Sequence, residues 1–303
     1  MQLLTRSDFD GLACGALLLH LGVIDEWKFV HPKDIQDGLI QATDNDILAN
    51  IPYVKGCKIW FDHHSSETER LGINAYFEGV SRKAPSCARV VYEYYGGDEK
   101  LGRFAEMIRY VDKVDSADLS IVEITKPTGW VLLGFIMDPR TGLGRFRNFT
   151  ISNYDLMKEL ASACATKTIE EIMAMPDVVE RREVYFEQEE LFKKMLEKHI
   201  RVEGKVIVAD FRGVETIHAG NRFLMYTMFP EQNISVLIMD GKNKQNCAIT
   251  VGYSTINRSS TVNVGSLLLK YGGGGHTQVG TCQVPYEEAD QAFADIIKRC
   301  NES

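Results

Sequence analysis

The sequence predicts an α/β protein in two parts: an N-terminal parallel-sheet domain over residues 1–176 and a smaller α/β domain over 199–303, joined by a long helix over 177–198. Three observations carry this. Short apolar runs alternate with helical stretches up to residue 176, the pattern of a parallel sheet with crossover helices. Residues 177–198 are rich in Glu and Lys, with Val178, Val179, Val184, Phe186, Leu191, Phe192, Met195 and Leu196 spaced for an amphipathic helix. A new set of strands begins at Val202 and runs through Asp210. A chain of 303 residues can furnish two cores. The connecting helix is expected to be solvated, with a homodimer contact as its alternative use.

Leu3-Leu4-Thr5 reads as a very short strand, followed by an acidic loop, Arg6-Ser7-Asp8-Phe9-Asp10-Gly11, and an apolar, small-residue helix from Leu12. Asp8 and Asp10 would face opposite ways on an extended segment, but a bent loop lets them converge on one cation or serve two. Gly11 permits the tight turn. Residues 38–43 look like a strand ending in Asp44-Asn45-Asp46. Lys58-Ile59-Trp60-Phe61 is a buried strand that ends in Asp62-His63-His64 and a polar loop, Ser65-Ser66-Glu67. Helices are expected over 87–95, after Pro85-Ser86, and over 101–110, the latter followed by Asp112, Asp115 and Asp118. Four acidic points at successive element ends, one with two imidazoles, would meet at one edge of a parallel sheet, where open α/β sheets place their chemistry. Asp46 is the better placed of Asp44 and Asp46, being at an element boundary. Asp112 is preferred over Asp115 because it directly follows Tyr110-Val111.

In the C-terminal part, residues 235–240 and 246–251 should pair through a turn from Gly241 to Gln245, which includes Lys242 and Asn243. A short helix over 262–270 leads into Tyr271-Gly272-Gly273-Gly274-Gly275-His276. Four glycines allow backbone amides to approach an anion unhindered, and Arg258 and His276 flank them. Arg222 is a weaker addition to that surface.

Hydrophobic content of 45% and charged content of 25% are ordinary for a globular chain. A formal charge of −8 argues against long duplex DNA as a partner. Seven scattered cysteines without CxxC spacing point to reduced thiols and a cytoplasmic setting. Neither a signal peptide nor a membrane-length apolar stretch is evident.

The order DxDG, a lone Asp, DHH and a further Asp, with GGGGH far downstream, resembles the DHH phosphoesterase superfamily with its C-terminal DHH-associated domain, and the layout is most similar to its exopolyphosphatase-like and oligoribonuclease group. The resemblance spans nearly the whole chain. It implies an active site in the cleft between the domains and hydrolysis of short phosphate substrates, oligoribonucleotides or nucleotide phosphates such as adenosine bisphosphate. It also implies two divalent ions about 3.5–4 Å apart that activate water and clamp the phosphate. By that analogy Asp8, Asp10, Asp46, His63 and Asp112 are the metal ligands, with Asp46 bridging. His64 contacts the scissile phosphate, and Asp62 orients an imidazole. Arg6, Arg258, Gly273, Gly274, Gly275 and His276 would bind substrate. Carboxylates with histidine suit Mn2+, with Fe2+, Zn2+ or Mg2+ as alternatives.

One departure stands out. Leu4 occupies the place of a histidine ligand in many members, and Arg6 stands where a small polar or acidic residue is common. Leucine cannot bind a metal, and a guanidinium repels one. Arg6 could instead contact substrate phosphate. Exopolyphosphatase-like activity is one alternative. The other is a non-catalytic nucleotide- or phosphate-binding protein with a degraded first metal site.

Overall fold

The computed structural model describes residues 1–31, 34, 35, 38–64, 77–241 and 244–302. Ser65, Ser66 and Glu67 of the expected polar loop, and Lys242 and Asn243 of the expected turn, lie outside the described residues. The chain divides into two compact units: Met1–Leu119 with Pro127–Tyr185, and Ser120–Lys126 with Phe186–Ser303.

The first unit is built on five parallel strands, β1 (Gln2–Thr5), β2 (Glu26–Phe29), β3 (Asp46–Ala49), β4 (Ile59–Asp62) and β5 (Gly79–Ser81), in the order β2-β1-β3-β4-β5. Every residue of β3 and β4 is buried, which a parallel sheet covered on both faces requires. That requirement corrects the expectation of a strand over 38–43. Leu39 is 71% exposed, whereas Ile47-Leu48-Ala49 supplies the unbroken apolar run a central strand needs and pairs with β1 and β4.

Helix α1 (Phe9–His20) follows β1 and packs against α2 (Cys87–Tyr94), α4 (Ala105–Asp115) and α7 (Asn153–Thr166). The helix expected over 101–110 is shifted. A short α3 (Gly97–Leu101) and a 3-10 turn come first, and α4 then runs through to Asp115. Its buried face, Met107, Ile108, Val111 and Val114, keeps helical spacing past Tyr110. Asp112 and Asp115 therefore sit on the helix, one turn apart.

Between α4 and α7 come α5 (Ile121–Thr125) and α6 (Gly129–Met137); α8 (Ile169–Met173) and the long α9 (Pro176–His199) follow. The division between the units falls inside α9, between Tyr185 and Phe186.

The second unit is a mixed six-stranded sheet ordered β10-β11-β9-β8-β7-β6. Its strands are β6 (Ile200–Glu203), β7 (Val206–Asp210), β8 (Ile234–Asp240), β9 (Cys247–Tyr253), β10 (Gly274–Gly275) and β11 (Val279–Val284). As the sequence predicts, β8 and β9 pair antiparallel, Asp240 opposite Cys247. After α10 (Leu224–Met228) and α11 (Val264–Leu269), α12 (Tyr286–Glu302) packs Ala289, Ala292, Phe293, Ile296, Ile297 and Cys300 into the unit's core. No helix among the described residues is long and apolar enough to cross a membrane.

Candidate metal centre

The β1–α1 loop is bent by one glycine. A Cβ on Gly11 would lie 2.0 Å from the Arg6 carbonyl oxygen and 2.7 Å from Thr5 Oγ1, so no other residue lets the loop fold back this tightly. The bend makes Asp8 the N-cap of α1, its Oδ1 accepting from the Gly11 amide at 3.0 Å. It also turns Asp10 toward the N-terminus of α2, where its oxygens accept from the Ala88 and Cys87 amides at 2.7 and 2.9 Å. Both carboxylates are buried, Asp10 to 1% exposure.

His63 follows β4 at the same sheet edge. Its Nδ1 lies 3.2 Å from the Ala84 carbonyl, and only an N–H can bond there. In the neutral imidazole Nε2 then carries the lone pair. It is buried with no hydrogen-bond partner, 3.6 Å from Asp10 Oδ2 and 3.5 Å from Asp115 Oδ2. Asp10, His63 and Asp115 offer three donor atoms within 4.8 Å of one another. An unpartnered imidazole nitrogen facing two carboxylate oxygens is poorly satisfied alone and well satisfied by a cation.

The electrostatics agree. Burial, followed by the charges of Asp115 and Asp8, pushes the Asp10 carboxyl well above the usual carboxylate range against the pull of the two α2 amides. Burial also raises Asp115, assisted by Asp8 and opposed by the two imidazoles and Arg140. Arg140 lies beside the cluster and is held by buried Asp138 at 2.8 Å. Burial works against its cation, but Asp138, Asp8 and Asp115 outweigh it and hold the guanidinium above its ordinary pKa. Cys14 contributes no thiolate here, because burial pushes it up to about 11.

His64 belongs to a different pairing. Its Nδ1 is 2.9 Å from Oδ1 of fully buried Asp62, whose Oδ2 accepts from the His64 amide at 3.3 Å. Asp62 thus orients His64, and the two imidazole rings sit edge to face 4.2 Å apart.

Two of the expected ligands are placed elsewhere. Asp112 has both oxygens engaged: Ser86 Oγ donates at 2.7 Å, and Arg89 donates from Nε at 2.9 Å and from Nη2 at 2.6 Å. One turn further along α4, Asp115 reaches the cluster in its stead. Asp46 begins β3, paired with Gln2 at the opposite end of the sheet. It is roughly 13 Å from the chemistry at the rise of a strand. There its Oδ2 caps a turn, accepting from Thr43 N and Oγ1 at 2.7 and 2.8 Å. The residue after β3 at the functional edge is Asn50, buried and left-handed at φ 58°, whose Nδ2 donates to Asp8 Oδ1 at 3.0 Å. Sequence reasoning missed Asn50, although it directly follows β3 as His63 follows β4. Leu4 is a core residue, packed with Val30, Leu48, Ile51 and Trp60. Arg6 lies with Nε 3.1 Å from Asp8 Oδ2, its side chain 37% exposed.

In the second unit the glycine run is a packing device. A Cβ on Gly273 would lie 2.3 Å from the Thr281 carbonyl oxygen, and one on Gly275 would lie 2.3 Å from that of Val279. The amides of Gly272, Gly273 and His276 donate to the carbonyls of Leu269, Leu268 and Val279. Gly274 and Gly275 pair with β11. These amides of the expected nest are therefore engaged, two by the end of α11 and one by β11. His276 is exposed, and so is Arg258, whose Nε donates to Thr255 O at 3.3 Å. Arg222 lies over the Phe223 ring at 4.2 Å.

No family model and no curated protein matches the chain. Solved structures do. A pGpG-specific phosphodiesterase, PggH, from Vibrio cholerae is 45% identical, with each chain covered over 99% and a TM-score of 0.85. An exopolyphosphatase-related protein from Bacteroides fragilis matches at 13% identity over 99% of this chain and 92% of that one, TM-score 0.53. RecJ in complex with Mn2+, from Thermus thermophilus, matches at 13% over all of this chain and 52% of that one, TM-score 0.51. The last two likenesses are of fold alone.

Proposed function

The chain belongs to the DHH phosphoesterase superfamily; from that premise we propose that it is a metal-dependent phosphodiesterase of short oligonucleotides, that its substrate is the linear dinucleotide pGpG and that Asp10, His63 and Asp115 hold its divalent cation. The substrate reading is carried by the 45% identity to a pGpG-specific enzyme over 99% of both chains. The cation reading is carried by the buried, unpartnered Nε2 of His63 between two carboxylate oxygens. Two carboxylates and one imidazole favour Mn2+. The enzyme assignment sets aside the non-catalytic reading drawn from Leu4 and Arg6.

A bound divalent cation supplies Lewis acidity toward phosphoryl oxygens and acidifies water. The chain's own groups do the rest. The α2 amides and the Ala84 carbonyl fix the donor atoms of Asp10 and His63 before any ion arrives. Arg6 and Arg140, each anchored on a buried carboxylate and each part-exposed, face negative charge that develops on a phosphoryl group. His64 delivers a proton to the leaving oxygen from Nε2, since Asp62 holds Nδ1 and stabilises the imidazolium. Seven free thiols, six of them buried, support a reducing, cytoplasmic setting.

The test is a hydrolysis screen with Mn2+ across pGpG, a diadenylate of the same length, adenosine 3′,5′-bisphosphate, a cyclic dinucleotide and polyphosphate. Turnover of pGpG at least ten-fold above every other substrate is expected. Preference for polyphosphate or the bisphosphate would refute the assignment.

A further inference from the structure

Among the described residues, the donors around this centre satisfy one divalent cation and not two. Three carboxylates stand close together, the charges of Asp115 and Asp8 raising Asp10 and that of Asp8 raising Asp115, but both oxygens of Asp8 already have partners. Its Oδ1 accepts from the Gly11 amide and from Asn50 Nδ2, both at 3.0 Å, and its Oδ2 faces the Arg6 guanidinium at 3.1 Å. Among the described residues, the other positions that could complete a second metal site are apolar, distant or already committed to other partners. Leu4 is apolar core, Asn50 presents a donor amide to Asp8, and Asp46 is at the far end of β3. Asp112 is clamped by Arg89. Among the described residues, Asp10 and Asp115 are the cluster's carboxylates with no guanidinium or ammonium at ion-pairing distance. Once cation binding ionises both, their two negative charges match a single divalent ion.

We propose that this centre is mononuclear and that the Arg6 guanidinium, fixed by Asp8 with Asn50 bracing the carboxylate, stands in the place of a second cation. The inference rests on reading Asp10, His63 and Asp115 as a cation site, and its experiment separates the two. Metal-free protein is titrated with Mn2+ while free ion is followed by electron paramagnetic resonance, with protein-bound manganese counted by elemental analysis. One equivalent per chain with an uncoupled spectrum is expected; two equivalents, or an exchange-coupled signal, overturns the proposal. Asp8→Asn keeps an N-capping side chain, so it should fold and bind one equivalent with affinity within about three-fold of wild type. A loss of about ten-fold or more would make Asp8 a ligand and overturn the proposal. Arg6→Gln should keep one equivalent but lower kcat/KM on pGpG by about 100-fold, the scale for losing one preorganised charge donor, with partial recovery in Arg6→Lys. Unchanged kcat/KM would remove Arg6 from the account. Retention of the bound equivalent in both His63→Ala and Asp115→Asn would instead refute the cation site itself.

Discussion

Replacing Asp115 with Asn should reverse the order of stability between the metal-free and metal-bound protein. In the metal-free state Asp10 and Asp115 oppose each other across less than 4.8 Å. Two full charges at that separation and an effective dielectric near 20 repel by about 3.5 kcal/mol or more. Solvent reaches Asp115, whose side chain is 26% exposed, and proton uptake by Asp10 relieves part of the strain, so about 1–2 kcal/mol is the expected gain for Asp115→Asn. For a unit of this size that is a rise in Tm of about 2–4 °C per kcal/mol. With Mn2+ at about 100 times its dissociation constant, wild type gains about 2.7 kcal/mol by mass action, and a variant lacking one ligand gains far less. Wild type should then lead by about 1 kcal/mol. Thermal melts with chelator and with excess Mn2+ read both arms. A variant that melts below wild type in both conditions would show that Asp115 is a structural ion-pair partner and would refute the reasoning.

The remaining predictions concern pH and single side chains. Because Asp10's native pKa is raised above the ordinary 3.8, the native state holds its proton longer than the unfolded chain. Metal-free stability at this site should therefore fall as pH rises above about 4, and Mn2+ affinity should climb over the same range; flat profiles in melts and titrations would contradict the burial argument. Asp112→Ala strands the Arg89 guanidinium and should cost about 1–3 kcal/mol in denaturant melts while leaving Mn2+ stoichiometry unchanged. Asp62→Asn should lower kcat by about 10–100-fold through misorientation of His64, and His64→Ala by about 100-fold or more, each with unchanged Mn2+ binding. Gly11→Ala forces a Cβ against the Arg6 carbonyl and should cost about 2–4 kcal/mol, measured by urea unfolding.

The sequence makes the sheet edge legible. An apolar run that stops at a carboxylate or imidazole is a buried strand delivering a functional group, and Asp8, Asp10 and His63 can be found that way because β1 and β4 end just before them. The position after β3 is less legible, since the eye follows residue type to Asp46. Only the register Gln2–Asp46 and Thr5–Ala49 shows that the strand begins there and that Asn50 follows its end. The choice between Asp112 and Asp115 depended on where a helix stops. Met107, Ile108, Val111 and Val114 carry the periodicity to Asp115, and a helix read as ending at Tyr110 hides the turn that separates the two carboxylates. The glycine run is conspicuous by composition, yet its reason lies in strands that approach too closely for a Cβ, a tertiary fact. Arg140 and Asp138 carry no motif at all and became visible only once α6 brought them beside the cluster.

The most direct test is anomalous diffraction at the manganese edge from crystals of the full chain grown with Mn2+. The account predicts one strong peak at this edge of the first unit's sheet, bonded to Asp10 Oδ2, His63 Nε2 and Asp115 Oδ2. A peak ligated by Asp46 or Asp112, or no peak between Asp10 and His63, would contradict it.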